Sequence, residues 1–180
     1  MIIFAEGFGL YSNKNYRRMI KKVFLLRHAQ TAGKQAGQQD YDRELTPEGV
    51  RQVNSLGHLM VMGSLIPEFI LSSSSRRTRS TTLLLSEALQ IPPSQIRYLD
   101  SLYEATTTEW IRQLRQFPDS VSCLLLVGHN PAVSHLASIL GNRSIDLPAG
   151  GFIVYEFSSL TWADFPKIGV EVSKILNAHG

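Results

Sequence analysis

A single cysteine, Cys123, stands among 180 residues, so no intrachain disulfide can staple the fold. It lies in the apolar run Cys123–Val127, where it reads as a small core residue in a reducing compartment and not as a catalytic thiol. No apolar stretch approaches the roughly 20 residues that a membrane-spanning helix needs. Long runs of like charge are missing too: 18 basic and 15 acidic residues leave a net charge of only +3. That argues against the clustered footprint of a nucleic-acid binder, while a small basic excess suits an anionic small ligand. Internal repeats, linkers and low-complexity segments are absent. A chain of this length buries roughly two-thirds of its unfolded surface and needs no metal or disulfide to hold it.

The first 18 residues have the apolar look of a signal segment, but they lack a basic start, Glu6 and two glycines interrupt them, and no clear cleavage site follows. They are expected to form a loose tail (1–18) on a cytoplasmic protein. Met19 offers an alternative start, and residues 19–180 are expected to form a single domain.

What the sequence does contain is an alternation of apolar runs and helical patterns. Lys21–Leu26 reads as a buried strand, and residues 30–45, without periodicity, read as a loop. Thr46, Pro47 and Glu48 make a helix start: a hydroxyl cap, proline in the first turn, and an acid at the positive end of the dipole. Val50, Val53, Leu56 and Met60 then keep one apolar face. Glu68–Ser73 reads as a second strand, followed by a helix from about Arg77 to Gln90 that Pro92-Pro93 stops. A short strand is expected at 96–99 and a helix at 108–117, with Trp110, Ile111, Leu114 and Phe117 on its apolar side. Cys123–Gly128 is the most hydrophobic strand, and Asn130-Pro131 is expected to cap a helix ending near Gly141. Residues 151–157 and 168–176 alternate like strands nearer an edge, and Trp162 is expected to shape the turn between them. This order predicts an α/β fold, a three-layer α/β/α sandwich around a mostly parallel central sheet. Ligands in such folds sit beyond the carboxyl ends of the strands.

Three of those ends carry matching chemistry. The first strand ends in Arg27-His28, the second runs into Arg76, Arg77 and Arg79 at a helix start, and the Cys123–Gly128 strand ends in His129. Alone, each has an ordinary structural explanation: a surface pair, a solvated helix turn, a core imidazole bonded to a carbonyl. Together, on parallel strands, they would converge into an oxyanion or phosphate pocket, joined by free N–H groups of the helix after Pro131. Arginines at a helix N-terminus oppose the dipole, which favours an anion there. Two histidines without a third ligand at metal-binding spacing give no reason to expect a metal. His58, His135 and His179 have no motif around them.

The stretches LLRHAQT (25–31), LSSSSRRTRSTT (71–82) and LLLVGHNPAV (124–133) resemble the successive signatures of the histidine phosphatase, or phosphoglycerate mutase-like, superfamily. The linking segments DYDRELTPEG and LYEA are most similar to those of SixA-type phosphohistidine phosphatases, and the likeness runs from about Lys21 to Gly141. The resemblance implies His28 as nucleophile, Arg27 and Arg77 as phosphate-gripping residues flanked by Thr78 and Thr81, and His129 as the second active-site histidine. It makes Arg43, Asn130 and Thr31 substrate-binding candidates and Glu104 the candidate proton donor; no cofactor is implied. Ala29 replaces the common glycine after Arg-His, and Ser74 the frequent proline after Ser-Ser. Glu104 lacks the glycine-rich context of the superfamily's catalytic glutamate, and Asn130 stands where acid phosphatases carry aspartate.

Expected from this is a phosphatase working through a covalent phosphohistidine, with His28 attacking neutral and a protonated or hydrogen-donating His129 beside the arginines. An alkoxide leaving group needs a proton as it departs, whereas a phosphorylated imidazole can leave as neutral imidazole. A weak acid therefore favours phosphohistidine in a signalling protein as substrate. A small phosphate ester is the nearest alternative; a mutase is less suited to so short a chain. A non-catalytic phosphate-binding module is a third reading, against which the intact His28 stands.

Overall fold

The computed structural model describes residues 20–159, 161–166 and 171–177; the tail expected at 1–18, the start of the strand expected from 168, and His179 lie outside them. In chain order the elements are β1 (Ile20–Arg27), α1 (Pro47–Met62), β2 (Phe69–Ser73), α2 (Arg76–Leu89), β3 (Ile96–Leu99), α3 (Thr107–Leu114), β4 (Cys123–Gly128), α4 (Ala132–Gly141), β5 (Gly151–Ser158) and β6 (Glu171–Asn177). They form one sheet in the order β3-β2-β4-β1-β5-β6. The first four strands of the chain are mutually parallel, and β5 runs antiparallel to β1 and to β6.

Alternation along β1 explains the layers. Phe24 and Leu26 face one side, where Val53, Leu56 and Met60 of α1 and Leu85 and Leu89 of α2 close over them. Val23 and Leu25 face the other, under Trp110 and Leu114 of α3 and Leu136 and Leu140 of α4. Both faces of β1 and β4 are therefore covered, which is why their sequences read as unbroken apolar runs. Cys123 is part of this core, and burial pushes its thiol up to about 12. No helix among the described residues is long and apolar enough to cross a membrane.

Several local expectations are refined. Thr46 caps α1, its side chain accepting from the Gly49 amide. Val50 is only half-buried, while Gln52 is buried on the inner face and its Oε1 accepts from the Gln30 amide at 3.0 Å. The chain leaving β1 needs an acceptor there, so an amide takes an apolar slot. The helix α3 starts under the Thr106 cap and stops at Leu114, leaving Phe117 buried just beyond it. Asn130 does not cap α4: Pro131 is the N-cap residue and no side chain satisfies it. The Asn130 amide instead donates to Asp146 Oδ1 and the Leu147 carbonyl, and its Oδ1 accepts from Ser134. That binds the start of α4 to the segment that leads into β5. Residues 151–155 are all buried: Phe152 and Val154 pack in one core layer and Ile153 and Tyr155 in the other, and β6 pairs along the edge beyond β5. Trp162 is fully buried, its indole N–H donating to the Val121 carbonyl at 2.8 Å, with the Lys21 ammonium 5.0 Å from its ring.

Candidate active site

Strand order decides what meets here. β4 lies between β2 and β1, with Ser72 level with Val127 and Arg27 level with Gly128. The residues that follow these three strand ends therefore share one edge. His28 and His129 stand with ring centroids 5.2 Å apart, and Arg77 Nε donates to His129 Nδ1 at 3.2 Å. A cavity of about 390 Å³ is lined by Arg27, His28, Arg43, Arg77, His129 and Asp40. Gln30, Thr31, Asn130 and Ala149 complete its wall.

Hydrogen bonds fix both imidazole tautomers. His28 Nδ1 meets the Ala29 carbonyl at 2.8 Å, and a carbonyl can only accept, so Nδ1 carries the proton and Nε2 keeps its lone pair. Burial lowers His28 to about 4, and the charges of Arg77, Arg27 and Arg43 act in the same direction. His129 has the other tautomer. A guanidinium can only donate, so Nδ1 accepts from Arg77 and Nε2–H faces Ser73 Oγ at 2.9 Å. Burial, then Arg77, lowers His129 to about 3. Of the two forms expected for His129, protonated or hydrogen-donating, these bonds match the second: Nδ1 accepts and Nε2–H donates, both to protein groups.

The arginines are held from the backbone side. Arg27 Nη1 donates to the Leu147 carbonyl at 2.8 Å. Its Nε is the one buried side-chain nitrogen or oxygen among the described residues that lacks a partner. Arg77 sits in the first turn of α2, where Thr81 Oγ1 donates to its carbonyl and accepts from the Ala29 amide, so one hydroxyl joins the two motif-bearing turns. Ser74, in place of the frequent proline, accepts from Tyr41 Oη at both its carbonyl and its hydroxyl, at 2.8 and 2.9 Å. That moors the 30–45 segment over the site.

The anion favoured at this helix start is supplied by the protein itself. Asp40, in a short 3₁₀ turn (Asp40–Asp42), accepts from Arg77 Nη2 at 2.8 Å, from Arg43 Nη1 at 3.1 Å and from Tyr103 Oη at 3.2 Å, and its carbonyl accepts from Arg77 Nη1. These bonds and the Arg77 charge outweigh desolvation and lower its carboxyl below the usual range. Asp40 and Tyr103 were not singled out from the sequence; the opposite charges of Asp40 and Arg43, three residues apart, are the signal that could have done so. Arg43 also donates to Thr31 Oγ1 at 2.6 Å, so Thr31 holds an arginine in place.

Glu104 is not in this cavity. It is exposed, with φ +54°, and lines a neighbouring cavity of about 660 Å³ that shares Asp40, Arg77, His129 and Asn130 with the first. Leu102, Ala105, Trp110 and Ala132 supply apolar lining there. Gly128 is required beneath it: a Cβ would stand 2.7 Å from the Trp110 ring and 2.8 Å from Val133. Among the described residues no cluster of three or more His, Cys, Asp or Glu side chains could hold a metal.

Residues 23–140 match the model of the histidine phosphatase superfamily, branch 1. The chain belongs to that superfamily. Relatives of this chain include an uncharacterized protein of Mycobacterium tuberculosis strain H37Rv, 33% identical over 119 residues that cover 66% of this chain and 72% of that one. Among solved structures, a protein assigned as phosphohistidine phosphatase SixA from Nakamurella multipartitia is similar with TM-score 0.70 and 28% identity, covering 87% of this chain and 95% of the other. A second SixA assignment, from Agrobacterium tumefaciens, has TM-score 0.75 at 24% identity over 87% and 97% of the two chains and shows the common fold.

Proposed function

We propose that the protein is a phosphatase that forms a covalent phosphohistidine at His28 and acts on phosphohistidine in a partner protein. The observation that carries this reading is the His28 tautomer. With Nδ1–H spent on the Ala29 carbonyl, an unprotonated Nε2 stands in a cavity lined by three guanidinium groups. Nε2 attacks phosphorus opposite the leaving group, and the N–P bond forms as the bond to the leaving group breaks. Water then attacks phosphorus, the N–P bond breaks, orthophosphate departs, and Nε2 regains its lone pair. Arg27 and Arg77 hold the phosphoryl oxygens. His129, neutral, orients Arg77. Arg43 contributes its charge from the Thr31 and Asp40 side, and Asn130 holds the 146–147 segment that anchors Arg27.

Phosphohistidine is favoured by the place of the carboxylates. Glu104 is outside the phosphate cavity, and Asp40 is ionised and committed to two arginines, so no carboxyl in the cavity is ready to protonate an alkoxide. A phosphorylated imidazole already protonated on its other nitrogen leaves as a neutral base, whose conjugate acid has a pKa of roughly 6.5. The likeness to the Nakamurella protein supports the same choice.

The test pairs a phosphohistidine-bearing protein with 3-phosphoglycerate and a sugar phosphate as substrates, and traps the phosphoenzyme. The phosphohistidine protein should turn over fastest and leave an acid-labile label, and His28→Ala should remove both turnover and label. Faster turnover of the small esters would overturn the substrate choice. Full activity in His28→Ala would overturn the nucleophile.

A further inference from the structure

The larger cavity next to the phosphate pocket carries a charge pattern that constrains what can be attached to the phosphoryl group. Its volume of about 660 Å³ is ample for a side chain or a small aromatic group, and it opens on the shared wall of Arg77 and His129. Its floor is apolar: Leu102 and Trp110 are 1% exposed and Ala132 7%. Arg77 is the one lysine or arginine that lines it, and that guanidinium is already paired with the Asp40 carboxylate and bonded to His129. Two carboxylates line it, Asp40 and Glu104; the remaining titratable groups are the Tyr103 phenol, bonded to Asp40, and the exposed His135 imidazole. Glu104 sits at φ +54°, a left-handed backbone that a side-chain-bearing residue uncommonly adopts and that recurs at functional positions. Asp40 is offset by Arg77 and Arg43, so a second phosphate or a carboxylate on the substrate would meet the Glu104 carboxylate here over an apolar floor, with Arg77 already engaged.

We propose that this cavity selects phosphorylated groups whose leaving part is aromatic or apolar and carries no negative charge, with Glu104 as the residue that sets the charge preference. The inference rests on the phosphatase reading of the adjoining pocket. It extends that reading from one substrate to a class: neutral and cationic leaving groups enter, and acid-bearing phosphates of small metabolites are turned away. Reversal of one charge within several ångströms of the substrate in a wet cavity is worth about a tenfold change in affinity.

The experiment measures competition against p-nitrophenyl phosphate hydrolysis by phosphocholine and by 3-phosphoglycerate, in the native protein and in Glu104→Lys. Each competitor is compared with itself across the two proteins, so differences in leaving-group reactivity drop out. In Glu104→Lys, 3-phosphoglycerate should bind about tenfold tighter and phosphocholine several-fold weaker. A gain of affinity cannot come from a damaged fold or a lost proton donor, so it separates charge selection from either. Unchanged competition by both ligands in an active variant would overturn the inference alone. A native protein inactive on p-nitrophenyl phosphate and on phosphohistidine would overturn the phosphatase reading, and the inference with it.

Discussion

The 390 Å³ cavity at the strand ends has three arginines, two imidazoles and the shared Asp40 around it, whereas the 660 Å³ cavity beside it adds an apolar floor and the Glu104 carboxylate and has Arg77 as its single arginine. The first is built around Arg27, His28, Arg77 and His129, at or just beyond the ends of β1, β2 and β4, whose register sets their spacing, with Asp40 and Arg43 added from the 30–45 segment. The second is assembled from the 102–108 turn and the start of α4, outside the sheet. The proposed group-transfer chemistry thus falls in the part of the molecule where backbone geometry leaves least freedom, and the proposed substrate choice in a part that can vary without moving a strand.

The sharpest way to break that contrast is at Arg77, one of the four residues both cavities use. Arg77→Ala removes a phosphate donor and the partner of His129 and Asp40, and kcat/KM on p-nitrophenyl phosphate should fall by about 10³-fold. Arg77→Lys should recover little of it, since an ammonium cannot serve three acceptors in the planar fork. A smaller and opposite effect is expected at Asp40. Asp40→Asn keeps a hydrogen-bonding amide between Arg77 and Arg43 but deletes the internal anion, so orthophosphate should inhibit about tenfold more tightly, read as its inhibition constant.

A separate effect, set by pH, is on folding. His28 and His129 are lowered to about 4 and about 3, below an unfolded value near 6.5. As pH falls below 6.5 the unfolded chain takes up protons that the folded rings refuse. Stability therefore declines toward pH 4, by up to about 1.4 kcal/mol per pH unit for each ring. Thermal melts between pH 7 and pH 4 should drop less steeply in a His28→Asn, His129→Asn double variant, and the native protein's kcat/KM should not fall from His28 protonation until pH approaches 4.

Arg27, His28, Arg77 and His129 were legible in the sequence because each interrupts an apolar run or a helix start, and such breaks mark strand ends. The alternation of strands and helices that places them on parallel strands was legible for the same reason. Asp40 was not, because it lies in a segment without periodicity, and only the fold brings it to arginines 3 and 37 residues away. Asn130 misled because Asn-Pro before an apolar stretch also reads as a cap; its true partners, Asp146 and Leu147, belong to a loop 16 and 17 residues on. Glu104 stood in the right stretch of chain but not in the phosphate cavity, since the turn that carries it faces the neighbouring one.

One consequence of the strand order concerns how the site comes into being. β4 is the last of the three site-bearing strands to be synthesised, yet it lies between the other two. Until β4 inserts, β1 and β2 have no shared edge, and the two histidines, separated by 100 intervening positions, have nothing to bring them together. Such long-range pairing is slow relative to local helix formation. Recovered enzyme activity during refolding is then a clock for a single event, the slotting of the most hydrophobic strand into the middle of the sheet. A chain with all its helices formed but that strand outside would be catalytically blank.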